Sequence, residues 1–250
     1  MKTFKQFLLE DNLPTDAAEI AALIKRDCAS FLSKSKFRSS NQSTWLWRGT
    51  NDFVKNAFNM HTVRESRMPT DISRNLHYAI DNALKNLTGY NFRSGQIIFA
   101  SGDANQAATY ARDKYPSIIF PFGDFDFCWS KDVKDAYDFF DNRGEPFGES
   151  EIRRALGLNP NRGGDHLDRK EWAELVSKFI EGGYSNYVFN KDLDTAIKSN
   201  VEIMIKCKSY YSLTWNQMTT YHYWSDNPEQ PSVSDPDHKF HTTFKVLGLL

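Results

Sequence analysis

The stretch of residues 199–207 constrains the fold of this chain most, because an apolar strand pattern there carries a carboxylate. Val201, Ile203 and Ile205 alternate with other residues, the first of which is Glu202, and such alternation predicts a β-strand. A carboxylate is costly to bury without a partner. Glu202 therefore either faces solvent on a half-exposed strand, or is a catalytic carboxylate held on a rigid element that faces a cleft. The pattern alone leaves both interpretations open.

The composition indicates a globular chain with a substantial core. Of the 250 residues, 40% are hydrophobic and 14% aromatic, which suits one large domain or two small ones. The net charge of -1 provides no overall field toward nucleic acid or a membrane. No run approaches the roughly 20 apolar residues of a membrane span. Cys28, Cys128 and Cys207 show neither a disulfide framework nor metal-ligand spacing, which predicts a reducing compartment and no metal site.

Helices and strands are predicted in alternation along the chain. We predict helices over residues 15–33, 71–87, 104–114, 132–140, 149–156 and 167–181, with a short helical turn over 192–197. Besides 199–207, we predict strands over residues 44–50, 96–100, 118–121, 125–130, 210–213, 218–224 and 240–249. No internal repeat or clear boundary interrupts the chain. We therefore expect a single α+β domain with a helical part over 11–43 and a core over 44–250.

Local signals refine the ends of these elements. Thr15 can cap the first helix, and Gly89 is suited to ending the second. Most of the chain's glycines and breakers fall in residues 141–168. We predict a long loop there, and long loops in compact domains are usually functional or mobile.

The first motif with chemical potential follows the strand predicted over residues 44–50. It consists of Arg48, Gly49 and Thr50. Arginine presents a planar fork of donors that binds phosphate bidentately, and glycine permits close approach of a ligand to the backbone. The alternative is a strand-end arginine in a surface ion pair, which is the more common role of an isolated Arg-Gly.

Two further motifs lie later in the chain. Ser101 stands at the end of a predicted strand, before a Gly-Asp turn and a helix that carries Tyr110. Asn200 precedes Glu202 by two positions. The chain therefore presents, in order, strand-Arg-Gly-Thr, strand-Ser-Gly-Asp-helix, and Asn-x-Glu on a late strand.

This order resembles the mono-ADP-ribosyltransferase superfamily in its Arg-Ser-Glu toxin-like branch. In that family an arginine ends the first strand of the NAD-binding core, a serine follows in a Ser-Thr-Ser motif, and the catalytic glutamate lies on a later strand. Arg48, Ser101 and Glu202 match by order and context, over roughly residues 45–211. The chain departs from the pattern in having Ala-Ser-Gly for Ser-Thr-Ser, and Asn200 where Glu or Gln is expected. The segment around Ser101 is also similar to the His-Tyr-Glu branch, which has histidine in place of the arginine.

The resemblance implies a fold and a set of roles. The implied fold is a split, mixed or antiparallel β core flanked by helices. The implied substrate is NAD, and no metal is required. Glu202 would stabilise the positive charge of an oxocarbenium-like transition state. Arg48, with Gly49 and Thr50, would hold the pyrophosphate or the adjoining ribose, and Ser101 would orient Glu202 or a ribose hydroxyl.

The resemblance implies roles for three more residues. Phe99 or Tyr110 would stack on the nicotinamide ring, although both are equally suited to being core aromatics. Asn200 would contact the acceptor, which is a host protein or a nucleic acid.

Residues 1–10 resemble the head-targeting peptides of internal proteins of large tailed phages. Those peptides begin with a similar Met-Lys-Thr-aromatic run and are cut after a glutamate in a Leu-x-Glu context, which Leu8, Leu9 and Glu10 match. The apolar run is too short for a secretory signal. The resemblance implies packaging in the virion interior, delivery to the host cytoplasm, and a detachable segment over 1–10.

Two other functions compete with the enzyme. One is a non-enzymatic phage internal or structural protein that keeps the fold without activity. The other is a nucleic-acid-binding module that uses Arg64, Arg67, Arg74 and Arg93. The near-neutral charge argues against the second, because phosphate contacts dominate such binding.

Overall fold

A computed structural model of the protein describes most of the chain from residue 13 onward. The described residues are 13–50, 56–66, 74–111, 115–135, 186–215 and 238–250, with the single residues 154, 159, 174 and 178. The chain divides into two compact units. The first consists of residues 1–62, 100–125 and 208–250, and the second of residues 63–99 and 126–207. The expectation of one domain over 11–250 stays a prediction.

The described residues form helices and strands, which confirms the α+β class. The helices are α1 Ala17–Asp27, α2 Ala29–Lys34, α3 Arg74–Thr88, α4 Ala104–Thr109, α5 Leu193–Lys198 and α6 His238–Leu249, with a 3-10 turn at Gln42–Thr44. The strands are β1 Trp47–Arg48, β2 Phe58–Thr62, β3 Ile97–Ser101, β4 Ser117–Pro121, β5 Asp126–Ser130, β6 Tyr187–Phe189, β7 Glu202–Lys206 and β8 Ser209–Thr214.

The first unit is built on antiparallel strands in the order β2-β8-β4-β1. Cross-strand neighbours form an apolar row in which Phe58 faces Leu213, Leu213 faces Ile118, and Ile118 faces Trp47. All four are at most 3% exposed. Helix α2 lies over this same face, since its Phe31 meets the ring of Phe120 of β4 edge-on at 5.9 Å.

The helix predicted over residues 15–33 is two helices. The carboxylate of Asp16 accepts the N–H groups of Ala18 at 2.9 Å and Glu19 at 3.1 Å, so Asp16 rather than Thr15 caps α1. Cys28 leaves the helical region at φ -116° and ψ 22°. Helix α1 therefore ends at Asp27, and α2 begins at Ala29.

In the second unit, β5 lies between β6 and β7 and pairs with both in antiparallel register. Helix α3 precedes these strands in the sequence. It ends at Gly89, which has φ +80° and donates its N–H to the carbonyl of Lys85 at 2.8 Å. This confirms the predicted glycine C-cap, because a left-handed residue there costs glycine little.

Three predicted elements are wrong in type or length. The segment predicted as a strand over 240–249 lies in helix α6, where Thr243, Val246 and Leu247 are buried while Lys245 and Gly248 are exposed. That spacing is helical, and the β-branched and aromatic residues obscured it in the sequence. The helix, or first helical turns, predicted over 132–140 is irregular over 132–135, and residues 136–140 lie outside the described part of the chain. The helix predicted over 104–114 ends at Thr109.

Two strands, β2 and β6, were not predicted. Several predictions lie outside the described residues, namely the targeting peptide over 1–10, the strand over 218–224, and nearly all of the long loop over 141–168 and of the helices over 149–156 and 167–181. Among the described residues, no helix has both the length and the apolar character that crossing a membrane requires.

Candidate active site

The residues predicted to form the site belong to both units. The first unit holds Arg48, Gly49, Thr50, Ser101 and Tyr110, and the second holds Phe99, Asn200 and Glu202. The expectation that Arg48, Ser101 and Glu202 line one cleft stays a prediction.

Arg48 lies on the polar face of the first unit's strands. It faces Ser117, which in turn faces Thr214. Because side chains alternate along a strand, this row points away from the apolar row of Trp47. The guanidinium carbon of Arg48 lies 5.9 Å from the centroid of the Tyr210 ring. Arg48 is half-buried, so a rigid strand presents a partly accessible cation.

The ring beneath Arg48 is part of a second contact on the same polar face. His61 stacks on Tyr210 with the ring centroids 4.7 Å apart and the planes at 14°. The Nε2 atom of His61 lies 2.8 Å from the Ser212 hydroxyl oxygen. Strands β2 and β1 lie on opposite sides of β8, so His61 and Arg48 approach Tyr210 from opposite sides.

Gly49 has a packing role that the sequence did not suggest. A Cβ atom at this position would lie 2.1 Å from the carbonyl oxygen of Ala107 and 2.7 Å from the amide nitrogen of Ala111. The backbone at the end of α4 therefore takes the space on this side of Gly49. Glycine is required here for close approach of the helix, and the expectation of a close ligand approach on that side is corrected.

Ser101 and its neighbours form the turn into α4. The Ser101 hydroxyl donates to Oε1 of Gln106 at 2.8 Å and accepts the N–H of Asp103 at 3.0 Å. Asp103 caps the helix in turn. Ser101 is 4% exposed, so it organises a buried turn, and its predicted role toward Glu202 stays a prediction. Tyr110 is 43% exposed and therefore is not a core aromatic.

Glu202 is the first residue of β7 and makes a nearly buried ion pair. Its Oε1 accepts from Nη1 of Arg93 at 3.0 Å, and the Glu202 and Arg93 side chains are 14% and 8% exposed. The N–H of Glu202 donates to the carbonyl of Lys134 at 2.8 Å. The carboxylate is therefore mostly buried and paired, and its predicted catalytic role stays a prediction.

The partner of Glu202 is itself held by a buried carboxylate. Asp81 of α3 is 3% exposed and accepts the N–H of Arg93 at 2.7 Å and that of Ser94 at 3.3 Å. The Ser94 hydroxyl also donates to Asp81. The guanidinium carbon of Arg93 lies 4.6 Å from the centroid of the Phe99 ring, a cation–π contact. Phe99 therefore supports Arg93, and its predicted stacking on nicotinamide stays a prediction.

A row of three side chains crosses the strands at the Glu202 end of the second unit. Ser130 faces Tyr187, and Trp129 faces Ile203. The next pair in the same register brings Ser130 opposite Glu202. Cross-strand neighbours share a face, so Tyr187, Ser130 and Glu202 lie side by side on one face.

The Tyr187 hydroxyl is buried and has no hydrogen-bond partner among the described residues. Burial raises the pKa of Tyr187 well above its usual range, the charge of Glu202 raises that pKa further, and the charge of Arg93 lowers it. The hydroxyl is therefore protonated and available as a donor at neutral pH.

Asn200 lies in the short connection between the end of α5 at Lys198 and the start of β7 at Glu202. It adopts a left-handed conformation at φ +55°, and its N–H donates to the carbonyl of Ile197 at 3.1 Å. Asparagine tolerates this conformation better than most residues, which gives a structural reason for asparagine where the family pattern has Glu or Gln. Asn200 is exposed, and its predicted contact with an acceptor stays a prediction.

The sequence did not identify Arg93 and Tyr187 as site residues. Arg93 appeared there only as one of several arginines for nucleic-acid binding, and Tyr187 was assigned no role. The only indication of them in the sequence was Glu202 on an apolar strand, because a carboxylate buried there requires a donor or a cation nearby. That pattern does not show which residue supplies the donor or the cation.

Comparisons of this chain with protein-family models, with curated proteins and with solved structures found no match.

Proposed function

We propose that this protein is an NAD-dependent mono-ADP-ribosyltransferase in which Glu202 is the catalytic carboxylate. The observation that carries the proposal is the nearly buried Glu202–Arg93 ion pair at the start of β7. A buried ion pair is weak evidence for stability, because the cost of removing both charges from water offsets their attraction. Function is a reason to keep such a charge, and the motif order from Arg48 to Glu202 suggests which function.

The residue types suit cleavage of the bond between nicotinamide and ribose. As this bond breaks, its electron pair moves to the nicotinamide ring nitrogen, and nicotinamide leaves as a neutral molecule. The ribosyl carbon develops oxocarbenium character, as in glycoside hydrolysis. The acceptor nucleophile then attacks that carbon and loses its proton. A preorganised carboxylate such as Glu202 stabilises the positive charge as it develops.

The other roles are proposed from the residues as the structure places them. Arg48 would bind the pyrophosphate, which its partly accessible guanidinium on a rigid strand supports. Ser101, Gly49 and Thr50 would shape the backbone around it. The acceptor would be a host protein or nucleic acid. The protein would act in the host cytoplasm after packaging in a phage head, as the resemblance of residues 1–10 suggests.

Transfer of label from NAD to the components of a bacterial lysate tests this function. We expect the natural protein to transfer label and Glu202→Gln to lose about 10²–10³ in rate, or 3–4 kcal/mol of transition-state stabilisation. Glutamine has nearly the same shape and keeps an oxygen that can accept from Arg93, so the fold should survive. Glu65→Gln is a matched control, because Glu65 is an exposed carboxylate of the same unit, and it should keep full activity.

Two outcomes contradict the proposal in different ways. If Glu202→Gln transfers label as fast as the natural protein, Glu202 is not the catalytic carboxylate. If the natural protein transfers no label to any component, the non-enzymatic phage protein becomes the better account.

A further inference from the structure

The Glu202 end of the second unit contains two buried donors that lack acceptors. Among the described residues, neither Nε of Arg93 nor the hydroxyl of Tyr187 has a hydrogen-bond partner. Arg93 as a whole is 6% exposed. Buried polar groups without partners are uncommon in folded proteins because they lose their bonds to water. Two of them beside one carboxylate indicate a place where an acceptor binds.

One donor belongs to a guanidinium that bonds Glu202 directly, and the other lies in the row of Glu202 with one strand between them. Arg93 bonds Glu202 through Nη1 at 3.0 Å, so its Nε–H belongs to the same guanidinium plane. Tyr187 shares a row with Glu202 across Ser130. The charges of Glu202 and Arg93 both act on the Tyr187 hydroxyl, which supports their proximity.

The charges at this place favour a neutral ligand group. Glu202 and Asp135 place negative charge near the Tyr187 hydroxyl and Arg93 places positive charge there, so a phosphate or carboxylate would meet two carboxylates beside that one guanidinium. A hydroxyl group is both a donor and an acceptor. It can donate to Glu202 and accept from Tyr187 or from Arg93, and two neighbouring hydroxyls can serve both donors at once.

We propose that Glu202, Tyr187 and Arg93 form a subsite for a pair of neighbouring sugar hydroxyls. The identity of the sugar rests on the proposed function, under which it is the ribose that carries nicotinamide in NAD. Neither Tyr187 nor Arg93 is among the residues that the family resemblance implies. A ribose contact of Glu202 already follows from the proposed function, and the new element is that Tyr187 and Arg93 donate to the ribose hydroxyls.

Tyr187→Phe tests the subsite, because it removes the hydroxyl and leaves the ring. ADP-ribose and ADP are suitable probes, since they differ by the terminal ribose and neither contains the bond that the enzyme would cleave. The natural protein should bind ADP-ribose more tightly than ADP. Tyr187→Phe should weaken ADP-ribose binding about tenfold, the value of one hydrogen bond, and leave ADP binding unchanged.

A stability measurement distinguishes a ligand contact from a structural hydrogen bond. Without ligand, Tyr187→Phe should have an unchanged or higher melting temperature, because the substitution removes an unpartnered buried donor. Tyr90→Phe is the matched control. Tyr90 is a half-buried tyrosine of the same unit whose ring packs on Phe189 and below the Lys206 ammonium, and its substitution should change neither affinity.

Each outcome decides the question. Equal binding of ADP-ribose by Tyr187→Phe and the natural protein overturns the subsite, and so does a lower melting temperature without any change in affinity. Failure of the natural protein to prefer ADP-ribose to ADP overturns it as well. Weaker ADP-ribose binding by Tyr187→Phe, in a protein that transfers nothing from labelled NAD, supports the subsite and overturns the proposed function.

Discussion

Two carboxylates, Asp27 in the first unit and Glu202 in the second, each bond an arginine in different surroundings. Asp27 bonds Arg26, its neighbour in the chain, through both carboxylate oxygens at 2.6 and 2.8 Å. The Asp27 side chain is 23% exposed and that of Arg26 is 69% exposed. The Glu202 and Arg93 side chains are 14% and 8% exposed, and 109 positions separate them in the sequence.

The difference in exposure teaches what each pair contributes. Exposed pairs are screened by water and contribute little to stability. The valuable bond of Asp27 is a different one, from the hydroxyl of Tyr211 on β8 at 2.9 Å, because it ties the end of α1 to a distant strand. The pair of Glu202 has little solvent around it, so loss of one partner leaves the other charged and buried.

Substitution of the two arginines by methionine gives the largest expected contrast. Arg93→Met should lower the free energy of unfolding by about 3 kcal/mol, because Glu202 then lacks its cation. Arg26→Met should change it little, since Arg26 is exposed. Urea denaturation of both variants at neutral pH measures the difference.

A double variant separates charge from packing. Arg93→Met combined with Glu202→Leu replaces the pair by apolar side chains of similar size, and its stability should return close to that of the natural protein. If the double variant is as unstable as Arg93→Met alone, the loss arises from the contact of Arg93 with Phe99 and not from the unpaired charge.

The contrast between the two pairs also marks what the sequence could predict. Alternation and apolar runs located most of β3, β4, β5, β7 and β8, because period and composition are local properties of the chain. The presence of Glu202 on a strand was predicted for the same reason, although the predicted strand began at residue 199, three positions before β7. Strand β6 escaped prediction because it has only three residues, Tyr187–Phe189, too few to show a period.

Non-local contacts decided the rest of the site. Nothing near Arg93 in the sequence shows that it bonds a carboxylate 109 positions away. The packing of Gly49 against the end of α4 and the left-handed backbone of Asn200 are likewise properties of the folded chain. In each case the residue type was noticed, but its partner was not.

Tyr211→Phe tests the hydrogen bond to Asp27 and should change the free energy of unfolding less than Arg93→Met does. The variant loses the bond to the Asp27 carboxylate, which should cost about 1.5 kcal/mol, the lower end for a hydrogen bond to a charged group. Ring contacts with Phe122 at 4.2 Å and Phe58 at 4.7 Å should persist in phenylalanine. Chemical denaturation at neutral pH measures the loss.

The effect of Tyr211→Phe should depend on pH in a defined direction. Bonds from Arg26, and then from Tyr211, lower the pKa of Asp27 in the folded protein, against an opposing effect of burial. The stability from a carboxylate with a lowered pKa is present above the unfolded value of about 3.9 and is lost as pH falls through the folded value. The two proteins should therefore become more alike below about pH 4. A difference that stays constant at lower pH would show that the bond does not need the charged carboxylate.

Asn200→Ala tests the backbone that positions Glu202 and has the smallest expected effect. Alanine at φ +55° has no side-chain hydrogen bond to offset the left-handed conformation and should lower the free energy of unfolding by about 1 kcal/mol. Asn200→Gly should be close to the natural protein in stability, because glycine adopts this conformation readily at the end of a helix. If Asn200 serves only the backbone, Asn200→Gly should also keep full transfer from NAD. If both variants lose transfer while cleavage of NAD to nicotinamide continues, Asn200 contacts the acceptor, and the prediction from the family pattern is supported over the purely structural role.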